Sequence, residues 1–218
     1  DEDWKPHVVC ITGDIGWSGK KGDYEKAKPW LEELLRQLGL GFQDLLLCSG
    51  NHDANRDITR GIGRPKDLTD ADGMLAPPLT PSFPEAFSAF SKFCKQAGTA
   101  KYAFDKSWSF LVGQTTIRGI RFVALNSAWF SRAGKRDEDR DQLWIGLPHL
   151  RVLEAAEQLS LAADPSTPPT VVLIHHPPDW WHADERHAYG QRPNTLDYLA
   201  HRCHLILTGH THGQVRRA

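Results

Sequence analysis

The chain has 218 residues, 40% hydrophobic and 24% charged, enough for one domain with a sizeable core. A formal net charge of -1 gives no global electrostatic reason to bind nucleic acid, although a local patch would suffice. No apolar run approaches the roughly 18 residues of a membrane span, and the four cysteines (Cys10, Cys48, Cys94, Cys203) contain no C-x-x-C pair, which argues against a disulfide framework and for a reducing, cytoplasmic setting.

His7 to Thr12 is a short β-branched run closed by Gly13-Asp14, the pattern of a buried strand. Tyr24, Ala27, Leu31, Leu34, Leu35 and Leu38 then repeat at helical spacing, and Gly39 and Gly41 end the pattern. Pro29 should kink that helix or mark its effective start. Leu45 to Cys48 is the next buried strand, closed by Gly50. Residues 54–83 lack a period and read as a long loop excursion.

Pro84 to Ala97 predicts one helix with Gly98 after its end. Trp108–Val112 and Thr115–Ile117 predict strands, and Arg118-Gly119 a tight turn into a strand over Ile120–Leu125. A helix is expected over Leu150–Leu161, a buried strand over Val171–Ile174, a short helix over Asn194–Ala200 and a last strand over Leu205–Leu207. Helices and strands alternate at both ends around a hairpin region. That order predicts a layered α/β domain.

Four short segments sit at the ends of strand-like runs: Gly13-Asp14, Gly50-Asn51-His52-Asp53, His175-His176-Pro177-Pro178 and Gly209-His210-Thr211-His212. Ligands in α/β folds collect beyond the carboxyl ends of strands. Together the segments offer a carboxylate, an amide oxygen and several imidazoles, a donor set that suits two divalent first-row metals. Metal pairs of that kind cut phosphate esters. His176 reads as structural, and His182 and His187 as surface residues of a Trp-rich loop. Trp17, Trp180 and Trp181 form either a stacking surface for a base or core and rim packing.

These segments resemble the calcineurin-like metallophosphoesterase superfamily. Its pattern is D-x-H, G-D, G-N-H-[DE], a lone His and G-H-x-H, and the last four parts match here in order. Thr12-Gly13-Asp14, the G-N-H-D form, His-His-Pro-Pro, Leu125-Asn126-Ser127 and Gln142-Leu143-Trp144 are most similar to the cyclic-nucleotide phosphodiesterase-like branch. The resemblance implies two mixed β-sheets packed face to face with helices outside, in a single domain over residues 1–218. It implies two divalent metal ions (Mn, Fe or Zn). Asp14 would bridge them, Asn51, His175 and His210 would bind the second, and His212 would bind the first. His52 would act beside the substrate phosphate, oriented by Asp53, while a metal-bound hydroxide attacks phosphorus in line.

The D-x-H part is missing from the chain. It is expected roughly 20 to 30 residues before Asp1, in a domain that continues beyond both ends of the sequence. The implied substrate is a phosphodiester, with a nucleotide as one candidate, acted on away from membranes by one module of a larger protein. Two other readings stay open: a nuclease of the same superfamily, which would take a nucleic acid strand, and a metal-poor binding or scaffold module.

Overall fold

The computed structural model describes residues 5–102, 110–132, 138–187 and 192–211. The strands are β1 (Val9–Ile11), β2 (Leu45–Leu47), β3 (Gly113–Ile117), β4 (Ile120–Ala124), β5 (Thr170–Leu173) and β6 (Leu205–Leu207). The helices are α1 (Lys21–Gln37), α2 (Arg56–Thr59), α3 (Leu68–Leu75), α4 (Ser82–Ala86), α5 (Ser88–Ala97), α6 (Leu147–Ala155), α7 (Ala183–Arg186) and α8 (Thr195–Ala200).

β1 and β2 pair in parallel, Val9 opposite Leu45 and Ile11 opposite Leu47, because α1 carries the chain back before β2 begins. The second sheet has the order β3-β4-β5-β6. β3 and β4 make the expected antiparallel hairpin around Arg118-Gly119, and β4, β5 and β6 run parallel to one another. The layered α/β architecture therefore holds. Among the described residues one sheet is mixed and the other is a parallel pair.

β2 explains why its sequence is a continuous apolar run. Leu45 and Leu47 share a core with Leu31 and Leu35 of α1 and Phe90 and Phe93 of α5. Leu46 faces the other way and clusters with Phe122, Ala124 and Leu173 of the second sheet. A strand buried on both faces cannot alternate with polar residues, and each such leucine contributes about 1.5–3 kcal/mol.

α1 runs from Lys21 straight through Pro29, so the proline neither starts nor ends it. Pro29 lies on the exposed side, where water can satisfy the carbonyl that loses its helical partner. The helix is fixed at its start by Asp23, whose Oδ2 accepts from Ser18 N–H (2.8 Å), Ser18 O–H (2.9 Å) and Lys20 N–H (3.2 Å).

Residues 54–83 are not a structureless loop. They contain α2, α3 and the start of α4, and they bury Leu68, Ala71, Leu75 and Phe83. The helix expected over Pro84–Ala97 is split at Phe87 into α4 and α5, and Gly98 ends it in the left-handed region (φ 76°). Phe110 to Val112 form a buried turn instead of continuing the expected strand, whose first two residues lie outside the described ones. α6 starts three residues before its expected Leu150 and stops at Ala155, because Glu157 adopts a left-handed φ of 59°.

The parallel direction brings several carboxyl ends to one edge. Cys48 N–H donates to the Ile11 carbonyl (3.2 Å), Leu125 N–H to Leu173 (3.0 Å), Ile174 N–H to Leu207 (3.1 Å) and Gly209 N–H to His175 (2.9 Å). The segments that follow β1, β2, β5 and β6 therefore meet.

Candidate metal centre

Close approach of these loops depends on glycine. A Cβ on Gly13 (φ +96°) would lie 2.5 Å from His175 Nδ1 and 2.8 Å from the Gly50 nitrogen, distances that no side chain tolerates. Asp14 follows in a left-handed conformation (φ 60°). That turn aims its backbone N–H at Asp53 and its carboxylate at the histidines. Asp14 Oδ2 lies 3.2 Å from His175 Nε2, and Oδ1 accepts from the backbone N–H of His52 at 3.0 Å.

Four donor atoms converge. His175 Nε2 is 2.9 Å from Asn51 Oδ1 and 3.2 Å from Asp14 Oδ2, while His210 Nδ1 is 3.2 Å from both Asn51 Oδ1 and His175 Nε2. Ligands held about 2.1 Å from one cation at tetrahedral or octahedral angles lie about 3.0–3.4 Å apart. The observed separations are close to the edges of such a polyhedron. The tautomer fits as well. His175 Nδ1 lies 2.6 Å from the Thr12 carbonyl, which can only accept, so Nδ1 carries a proton and the neutral ring presents its lone pair at Nε2.

Electrostatics agree with this donor set. Burial pushes Asp14 up, but the His175 hydrogen bond and charge, with the His52 N–H, bring it below the ordinary carboxylate range. Burial opposes charge on His175, yet Asp14 and the Thr12 carbonyl outweigh it and raise its pKa. The cluster therefore attracts one positive charge at Nε2, a place that a proton or a cation can fill. Burial, then the neighbouring His175, lowers His210 to about 4, so its ring is neutral at pH 7 and keeps a lone pair.

His176 lies fully buried beside these groups. Its Nδ1 is 2.8 Å from Ser127 Oγ, and its Nε2 has no hydrogen-bond partner among the described residues. His175, His176 and His210 together form a group whose ligand atoms lie within 4.8 Å of one another. An orphaned buried nitrogen facing two further imidazoles is consistent with a cation centre.

Asp53 does not orient His52 as the sequence suggested. Its buried carboxylate lies beneath the turn and accepts from Gly16 N–H (2.7 Å), Asp14 N–H (2.8 Å), Gly50 N–H (2.9 Å) and Tyr24 O–H (3.0 Å). Burial raises its pKa, against the lowering effect of the Gly50 and Gly16 amides. Asp53 thus pins the loops after β1 and β2 to α1. His52 Nδ1 lies instead 2.9 Å from the Trp17 carbonyl and 3.0 Å from Arg56 Nη2, one of which is its partner in each tautomer.

Asp14, Asn51, His175 and His210 are thus brought together, with His52 beside them and Asp53 behind. His212 lies outside the described residues. His182 stacks on Trp144 at 4.0 Å and accepts from Asp184 N–H at the start of α7, and Trp181 is fully buried with its indole N–H on the His176 carbonyl. Sequence reasoning missed Tyr24, Arg56 and Ser127. Tyr24 had read only as one apolar position of a helix face, whereas Ser127 stood within a quoted motif.

A family model described as calcineurin-like phosphoesterase matches residues 2–214. A protein of Synechococcus sp. described as a "probable cyclic nucleotide phosphodiesterase" is 24% identical over 211 residues, covering 95% of this chain. The chain spans 58% of the length of that curated relative.

Proposed function

The chain belongs to the calcineurin-like phosphoesterase family, and from that premise we propose that it hydrolyses a phosphodiester at a centre of two divalent cations (Mn, Fe or Zn). Membership supports hydrolysis of a phosphoester. The diester preference, the second cation and the residue roles are the proposal. The observation that carries it is the convergence of Asn51 Oδ1, His175 Nε2 and His210 Nδ1, 2.9–3.2 Å from one another, with Asp14 Oδ2 3.2 Å from His175 Nε2.

Asn51, His175 and His210 would hold one cation. Asp14 would be shared with a second, to which His212 would also bind. Bound cations of this kind activate water and neutralise charge on a phosphoryl group.

The chain's own residues do the rest. Arg56 is always protonated, so its contact makes His52 Nδ1 an acceptor. The neutral ring would then present its N–H at Nε2, as a hydrogen-bond donor to charge developing on phosphorus or on the leaving oxygen. Donation from Nδ1 to the Trp17 carbonyl, 2.9 Å away, is the alternative tautomer. Asp53 keeps both loops in register through three amides and Tyr24.

The nuclease reading draws on the G-N-H-D motif and on two segments that read as long loops in the sequence, 54–83 and 179–193, of which only the first is described throughout. That segment is helical and packed, so a small phosphodiester is the reading adopted. A single domain over residues 1–218 belongs to the same proposal, supported by the family match over 2–214. The four free thiols support a reducing, cytoplasmic setting. No described helix is long and apolar enough to cross a membrane.

The test is hydrolysis of bis(p-nitrophenyl) phosphate and p-nitrophenyl phosphate by the full-length protein, with Mn²⁺ and after chelation. Metal-dependent turnover that prefers the diester and drops at least about a hundredfold in Asn51→Ala is expected. Turnover untouched by chelation, or unchanged in Asn51→Ala, would sink the proposal.

A further inference from the structure

Three tryptophans surround the centre, and they are not equivalent. Trp181 is fully buried. Trp180 turns its edge to His210 at 4.0 Å, with Arg140 5.8 Å from its ring centroid. Trp17 is 71% exposed, yet it stacks on the His52 imidazole at 4.9 Å with the planes 26° apart. One face of its ring therefore meets the residue proposed to act at the phosphate, and most of its surface stays open to solvent.

The backbone on both sides of Trp17 is fixed. Gly16 N–H is held by Asp53 and Ser18 by Asp23. Gly19 adopts a left-handed φ of +66° so that the chain can press against Ala54 and Asn55, where a Cβ would sit 2.4 Å from backbone atoms. The Trp17 carbonyl is itself a contact of His52 and Arg56. A large apolar ring is thus presented to water on an anchored loop, so little ordering cost remains when a flat ligand docks on it.

We propose that Trp17 is a stacking platform for the organic part of the substrate, so that the site takes phosphodiesters bearing a planar aromatic group, such as a nucleobase, over purely aliphatic ones. His52, adjacent in sequence to the proposed ligand Asn51, covers one face of the Trp17 ring, so a flat group would take the other, open face. This rests on the phosphodiester reading above and specifies its substrate class.

The test compares kcat/KM of the full-length protein for bis(p-nitrophenyl) phosphate and for glycerophosphoethanolamine, in the wild type, Trp17→Phe and Trp17→Leu. The readout is the aromatic-to-aliphatic ratio, which cancels any common loss transmitted through His52. Stacking of one planar group predicts that the ratio falls about tenfold or more in Trp17→Leu, mostly through KM, and is largely retained in Trp17→Phe. An unchanged ratio in Trp17→Leu, with both rates lowered alike, means that Trp17 only supports His52, and overturns the inference. A metal-loaded wild type that cleaves neither ester overturns the phosphodiester reading itself, and the inference with it.

Discussion

At the residue scale, Arg56 and His149 separate two kinds of polar group. Arg56 contacts His52 Nδ1 at 3.0 Å and is expected to set the tautomer of the proposed hydrogen-bond donor. Arg56→Ala should lower kcat for the diester about ten- to hundredfold, since a donor aimed at developing charge is worth roughly 10²–10³-fold and the histidine itself remains. Metal content should stay at the wild-type level. A variant with unchanged kcat would remove Arg56 from the mechanism.

His149 is buried on α6, with its ring 5.4 Å from that of Trp129. Burial lowers its pKa from 6.5 to about 4, against weaker raising by backbone contacts at Leu75 and Ile145. Between these values the unfolded chain binds the proton and the folded chain does not. Stability from this group is therefore fully present above pH 6.5 and declines as pH falls toward 4, by about 3 kcal/mol at most. Urea midpoints from pH 7 to 4.5 should fall less steeply in His149→Gln than in the wild type. Parallel slopes would mean that this histidine does not carry the acid sensitivity.

The donor residues were legible because each breaks an apolar run at a strand end: Asp14 after Thr12-Gly13, Asn51 after Gly50, His175 after Ile174 and His210 after Gly209. The role of Asp53 was not. Its partners Gly16, Tyr24 and Gly50 are amides and a phenol drawn from three segments, and no spacing rule links residues 37 positions apart.

At the element scale, α1 shows what periodicity can and cannot say. Its buried positions Tyr24, Leu31 and Leu35 were readable at helical spacing, and its end near Gly39 (φ 70°) was readable from glycine. Whether Pro29 would break it was not, because the answer depends on which side of the helix the lost bond faces. Pro29 is exposed and the helix continues past it. A proline in a helix interior costs about 3 kcal/mol relative to alanine, partly offset by a stiffer unfolded chain. Pro29→Ala should therefore raise stability by about 1–3 kcal/mol in urea unfolding. A loss of stability would show that the proline fixes a bend the packing needs.

The 54–83 segment failed the other way. Leu68, Ala71 and Leu75 do lie on one helical face, but the run is only eight residues long and includes Gly73. Its order comes from Asp67 capping the Asp70 N–H and from burial against the core. Such contacts lie outside any local window.

At the scale of the whole molecule, parallel pairing is the device that makes a site from scattered segments. β1, β2, β5 and β6 deliver Asp14, Asn51, His175 and His210 to one edge, from positions as far apart as residues 14 and 210. The two sheets jointly supply the apolar cluster of Leu46, Phe122, Ala124 and Leu173, so the frame beneath the site is packed rather than open. Alternating strands and helices in the sequence were enough to expect this layering. The register that sets donor atoms about 3 Å apart was not readable, since it depends on glycines that let the loops touch.

The central claim is that Asp14, Asn51, His175 and His210 form a cation site. Its most direct test is calorimetric titration of Mn²⁺ into the metal-stripped full-length protein, beside Asn51→Ala and His210→Ala. Saturable binding by the wild type is expected, with an affinity at least about tenfold weaker in each variant that lacks a proposed ligand. Equal affinity in all three proteins, or no binding by the wild type, would contradict it.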